Sequence, residues 1–115
     1  MKDAEITLDQ LKALVESFVA ERDWAQFHNP KNLSMALAIE AGELMDLFKW
    51  MTPAECEQKM STDGIRSEAK DELADVLIYA IAFANRNEID ISGAVRDKLE
   101  KNKQKYPIDK FRGHF

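Results

Sequence analysis

The sequence predicts an all-α protein, on three observations. Only four Gly and three Pro punctuate 115 residues. Leu, Ala, Glu and Lys are abundant, and apolar residues recur at three- and four-residue intervals with no hairpin signal between them. A chain of this length and a 45% hydrophobic content suit one domain over residues 1–115, organised as a four-helix bundle.

The first helix starts after Thr7, where Thr7-x-x-Gln10 is a capping-box pattern, and carries Leu8, Leu11, Val15, Phe18 and Val19 on one face before fraying near Trp24. His28-Asn29-Pro30 interrupts the periodicity. Asn29 then serves as N-cap and Pro30 as first-turn residue of a second helix running to about Met51. Thr52 to Asp63 contains Pro53 and is followed by Gly64, which predicts a loop with room for a short turn of helix around Ala54 to Met60. The third helix covers about Ile65 to Asn87. Ser92 is the predicted cap of the fourth, which carries Ile91, Val95 and Leu99 and stops before Pro107. The tail to Phe115 shows no periodicity.

Charge and composition narrow the function. With 21 acids against 16 bases the net charge is -5, which argues against a general nucleic-acid binder, so any phosphate must be held locally. The longest apolar run, Val76 to Ala84, is far below the roughly 20 residues needed to span a bilayer. The N-terminus lacks the layout of a secretory signal, and the lone Cys56 permits no intrachain disulfide, so a cytoplasmic protein is expected.

The informative residues are carboxylates in apolar surroundings. On the second helix Leu33, Leu37, Leu44, Leu47 and Phe48 form one stripe; Glu40 falls in its middle and Glu43 at its edge. On the third, Leu73, Leu77, Ala80 and Ala84 share one face while Glu68, Glu72, Asp75 and Tyr79 line another. The all-round apolar stretch after Asp75 predicts a helix surrounded by protein. Two carboxylates one turn apart, about 5.5 Å, repel by about 3 kcal/mol at an effective dielectric near 20. Either lysines and arginines of neighbouring helices neutralise these acids, or a cation does. Oxygen-only donors suit a hard ion, Mg²⁺ first and Mn²⁺ as substitute. A di-iron bundle would want Glu-x-x-His pairs, yet neither His28 nor His114 follows an acid at that spacing; the same count removes a Cys/His zinc site.

Trp24 and His28 fall at the end of the first helix and Trp50 at the end of the second, where rings either cap the core or sandwich a base. On the fourth helix Asn102 joins the stripe of Val95, Leu99 and Tyr106, with Lys98 at its margin. An amide and an ammonium there suit phosphate oxygens, or are a surface asparagine and a snorkelling lysine.

Glu40-Ala-Gly-Glu43 followed by Glu72-Leu-Ala-Asp75 resembles the Glu-x-x-Glu, Glu-x-x-Asp signature of MazG-like pyrophosphohydrolases. The segments Glu21 to Leu33, Leu47 to Trp50, Asp75 to Tyr79 and Asn102 to Pro107 are similar to the dCTP pyrophosphatase branch of that family. The resemblance runs from about Leu8 to Gly113. It implies Mg²⁺ held by Glu40, Glu43, Glu72 and Asp75 and hydrolysis of dCTP or a modified dCTP to monophosphate and pyrophosphate. It also implies Trp24, His28 and Trp50 around the base, with Tyr79, Lys98, Asn102 and Tyr106 near sugar or phosphates.

A homo-oligomer is expected as well, a tetramer or a dimer, because so short a chain has little material to cover an all-round apolar helix. The rival reading is a non-catalytic nucleotide-binding or helix-bundle interaction protein with a structural cation.

Overall fold

The computed structural model describes every residue from Met1 to Phe115 and contains helices and turns but no strand. Six α-helices replace the expected four: α1 (Leu8–Glu21), α2 (Pro30–Asp46), α3 (Pro53–Met60), α4 (Asp63–Arg86), α5 (Ile91–Lys105) and α6 (Ile108–Phe111), with a 3-10 turn at Ala25–Phe27. None is long and apolar enough to cross a membrane.

Local chemistry explains where the helices begin. Thr7 and Gln10 form the expected reciprocal box, the Gln10 N–H donating to Thr7 Oγ1 at 3.1 Å and the Thr7 N–H to Gln10 Oε1 at 2.8 Å. Asn29 Oδ1 accepts from the Asn32 N–H at 2.9 Å, with Pro30 in the first turn. The segment Thr52 to Asp63, expected as a loop with a short helical turn around Ala54 to Met60, repeats that device and forms a full helix from Pro53 to Met60. Thr52 Oγ1 accepts from the Glu55 N–H at 3.2 Å and Pro53 occupies the first turn, where its missing N–H costs nothing, so the proline starts a helix rather than ending one. At α5 the cap is Asp90, not Ser92: Asp90 Oδ2 accepts from the Gly93 N–H at 2.7 Å, leaving Ser92 inside the first turn. Gly64 likewise lies inside α4 rather than before it. In the tail α6 supplies one further turn, tied down by an edge-on contact of the Tyr106 and Phe111 rings at 5.2 Å.

α4 is the central helix and packs most extensively on α2, then on α1 and α3. Val15, Val19, Leu33, Ile81 and Ala82 form the core, with Leu11, Tyr79, Phe83 and Ile91 against it. α5 has no extended packing partner. The radius of gyration is 17.1 Å, against about 13 Å for a compact chain of this length. The accessible surface is 9277 Å², against about 6,400 Å² expected for a compact monomer of this mass. The expected all-round cover of α4 is therefore absent within one chain. Ile81, Ala82 and Ala84 are buried, but Leu77 is 50% exposed, and Leu14, Phe18, Met35, Ile39, Val95 and Leu99 also lie open.

Candidate metal centre

α2 and α4 run antiparallel, Leu33 lying by Ile81 and Ala82 at one end and Leu44 and Phe48 by Ala69 and Leu73 at the other. Between these apolar ends the acid pairs meet. Carboxylate oxygens of Glu40, Glu43 and Glu72 lie within 4.8 Å of one another. Asp75, one turn beyond Glu72 and half-buried, is close enough to add its charge to both Glu40 and Glu72.

The electrostatics are unrelieved. Glu40 Oε2 and Glu72 Oε2 are shut away from solvent and have no hydrogen-bond partner. Burial first, then the neighbouring Glu43 carboxylate, then the charges of Glu43, Asp75 and Glu72 push the Glu40 carboxyl above its ordinary pKa of 4.5. Glu72 is raised by burial, by Glu43, and by the charges of Glu43, Asp75 and Asp71. The ion pairs of the molecule lie elsewhere: Met1–Glu5, Arg22–Glu21, Lys49–Asp46, Arg96–Asp97 and Lys103–Glu100. No lysine or arginine neutralises the cluster, which removes the salt-bridge reading of its sequence pattern. Orphaned buried oxygens in an all-carboxylate set fit a hard divalent cation, whose octahedron would keep places for water or phosphate.

Of the remaining sequence candidates, Tyr79 lies one turn beyond Asp75 on the same face of α4, half-buried against the core. Trp24 stands at the end of α1 with its ring edge-on to Phe18 at 5.7 Å, and His28 closes the 3-10 turn nearby. Trp50 is 88% exposed beyond the other end of α2. α2, with 17 residues and so about 25 Å long, lies between the two tryptophans in the chain. Lys98 and Asn102 ride on α5 and Tyr106 is its C-cap; Asn102 and Tyr106 line a groove there with Val95 and Leu99, and none of the four acids lines it.

Two side chains escaped the sequence reading. Phe18, taken only as core, supports Trp24. Arg86 continues the face of Asp75, Tyr79 and Ala82 at helical spacing, and its Nε donates to the His28 carbonyl at 2.9 Å. Extending the acidic stripe past Tyr79 would have found it.

The MazG-like family model matches residues 35–114. Rat dCTP pyrophosphatase 1 is 44% identical over 109 residues, covering 95% of this chain and 64% of the relative. The human protein of that name is 44% identical over 103 residues, covering 90% and 61%. The chain thus spans somewhat less than two thirds of these relatives' length. Among solved structures, a pyrophosphatase from Archaeoglobus fulgidus superposes with a TM-score of 0.81 at 35% identity, covering 87% of this chain and 92% of that one.

Proposed function

We propose, on the premise that this chain belongs to the MazG-like family, that it is a divalent-cation-dependent nucleoside triphosphate pyrophosphohydrolase acting on dCTP or a modified dCTP. The observation that carries this reading is the pair of orphaned oxygens on Glu40 and Glu72 inside a carboxylate cluster that no base neutralises. Relatives that are dCTP pyrophosphatases support the substrate class.

Glu40, Glu43, Glu72 and Asp75 would hold Mg²⁺, with Mn²⁺ as substitute. When bound, the cation supplies positive charge at the triphosphate oxygens and eases ionisation of water. The four carboxylates fix where that charge sits, and one that is not ligating at a given step accepts the proton of the attacking water. Water adds to a phosphorus of the triphosphate and a phosphoanhydride bond breaks, giving nucleoside monophosphate and pyrophosphate. Tyr79, one turn from Asp75, would lie near the sugar or the phosphates.

The same reading includes a homo-oligomer. About 2,900 Å² of surface beyond that of a compact monomer exceeds what a standard interface needs from one partner, about 800 Å². A second copy offers α5 the partner its own chain withholds. It also offers a route by which Trp24 and His28 would share a base with Trp50, and by which Lys98, Asn102 and Tyr106 would approach the acids. A reducing cytoplasm suits the lone Cys56.

Pyrophosphate release from a panel of nucleoside triphosphates with Mg²⁺ tests the reading. Turnover of dCTP ahead of the purine triphosphates is expected. Equal rates on all eight common triphosphates would remove the pyrimidine preference, and no release from any would favour a non-catalytic nucleotide binder with a structural cation.

A further inference from the structure

Among the helices of eight residues or more, α4 is the longest and the only one that starts without a side-chain cap. α1, α2, α3 and α5 begin on Thr7, Asn29, Thr52 and Asp90, and each of these side chains accepts from a first-turn N–H. α4 begins on Thr62, whose hydroxyl is turned the other way and donates to the Lys59 carbonyl at 2.6 Å. The Ser61 hydroxyl donates to the Gln58 carbonyl at 2.6 Å. Both residues of the link thus finish α3 and leave nothing for α4. The first backbone bond of α4, from the Arg66 N–H to the Thr62 carbonyl, is 3.2 Å long, against 2.9 to 3.0 Å at the other four starts.

The pair that begins α4 is Asp63 and Gly64. Asp63 is exposed, and its carboxylate joins none of the ion pairs. The Gly64 N–H is one of the orphan donors of the first turn and finds no acceptor. A Cβ on Gly64 would meet nothing within 4 Å, so the space beside its amide is open. No other Asp or Asn in the chain precedes a glycine. A free amide nitrogen next to a carboxyl carbon, with no side chain to shield either, is what intramolecular imide closure requires. A helical backbone holds the two apart, but an uncapped terminal turn opens at little cost.

We infer that Asp63–Gly64 is a site of spontaneous backbone modification, at which aspartate becomes isoaspartate through a cyclic succinimide. When the first turn of α4 opens, the Gly64 nitrogen gives its proton to solvent and attacks Cγ of the protonated Asp63 carboxyl. The N–C bond forms and the hydroxyl leaves as water. Water then adds to one of the two ring carbonyls. Cleavage of the bond to Cγ restores aspartate, whereas cleavage of the bond to the main-chain carbonyl carbon leaves the chain running through the Asp63 side chain. One water leaves and one enters, and nothing is oxidised or reduced. The product carries an additional main-chain methylene where α4 sets out along α3, while Glu72 lies more than two turns further on.

The folded protein incubated in mildly acidic buffer made with ¹⁸O-water, followed by peptide mapping, tests the inference. Isoaspartate labelled with ¹⁸O should accumulate at Asp63 ahead of every other aspartate. Gly64→Ala should abolish it; the space is open and alanine favours helix, so this variant should melt no lower than the parent. Thr62→Asp supplies the missing cap and should slow the reaction in the folded protein roughly fivefold, the worth of one capping bond. In urea, where no helix is left to cap, the parent and Thr62→Asp should react at the same rate. No excess of isoaspartate at Asp63 over the other aspartates, or equal rates for the folded parent and folded Thr62→Asp, overturns the inference.

Discussion

The crossing of α2 and α4 and the α5 arm are both amphipathic, and they differ in what one chain supplies to each. Where α2 and α4 cross, apolar contacts at both ends clamp four acids together, and the only thing missing is positive charge. α5 has a cap, a helical register and an apolar stripe of Val95 and Leu99, each more than half exposed, but no surface of its own chain to lie on. Helix formation is a local matter of caps and spacing, whereas helix burial needs a partner surface. One chain thus completes the acid cluster but leaves the apolar face of α5 uncovered.

The largest effect that would break this picture is on Glu40→Gln, which keeps size and removes one charge. Activity should fall by more than about a hundredfold, since loss of even a supporting partner of a metal ligand costs 10–100-fold. In melts without Mg²⁺ the variant should be as stable as the parent or more so, and Mg²⁺ should raise the parent's melting temperature more than the variant's. A variant less stable under every condition, with Mg²⁺ inert towards both proteins, would make the crossing a structural ion pair and erase its difference from α5.

Leu99→Asp addresses the other region. The site is 54% exposed in one chain, so an isolated monomer should tolerate the change within about 0.5 kcal/mol. If a second copy covers it, light scattering should show the assembly dissociating towards 13.2 kDa, and kcat/KM should drop about tenfold or more, the worth of one lost anchor. The Mg²⁺-induced melting shift should survive, because the acids belong to one chain. A parent that is already a clean monomer would end the contrast between the two regions.

pH sharpens the first half of the comparison. Glu40 and Glu72 bind protons more readily folded than unfolded, so the native state holds the extra protons between 4.5 and the raised values. Stability from these groups is fully present below pH 4.5 and is lost as pH rises through the folded pKa. The metal-free parent should therefore lose stability relative to Glu40→Gln on going from pH 4 towards neutrality, and Mg²⁺ should close the gap. Parallel melting curves across that range would mean that the cluster is not under strain.

The smallest effect tests the start of α5. Asp90→Ala should cost about 1 kcal/mol while Ser92→Ala stays near zero. Chemical denaturation distinguishes the two, and the reverse order would return the cap to Ser92.

Much was legible in the sequence because it depends on neighbours a turn away. The caps at Thr7 and Asn29, the helical class and the two acid pairs are all statements about residues three or four apart. α3 is legible only as a short turn around Ala54 to Met60, because Pro53 reads as a break until Thr52 and Glu55 are seen to bracket it as a helix start. Asp90 and Ser92 are both residues of the capping type, and spacing alone does not say which side chain reaches the first free N–H.

What the sequence determined by itself, then, is a set of helices and the two that carry unpaired acids. Only the tertiary structure decided that α2 and α4 lie antiparallel so that Glu40, Glu43 and Glu72 meet, that no lysine or arginine joins them, and that α5 goes uncovered. The physical reason is range. Propensity and capping act over one turn of chain, whereas burial, charge compensation and the distance between two rings depend on which surfaces pack together, and no spacing along the chain records that.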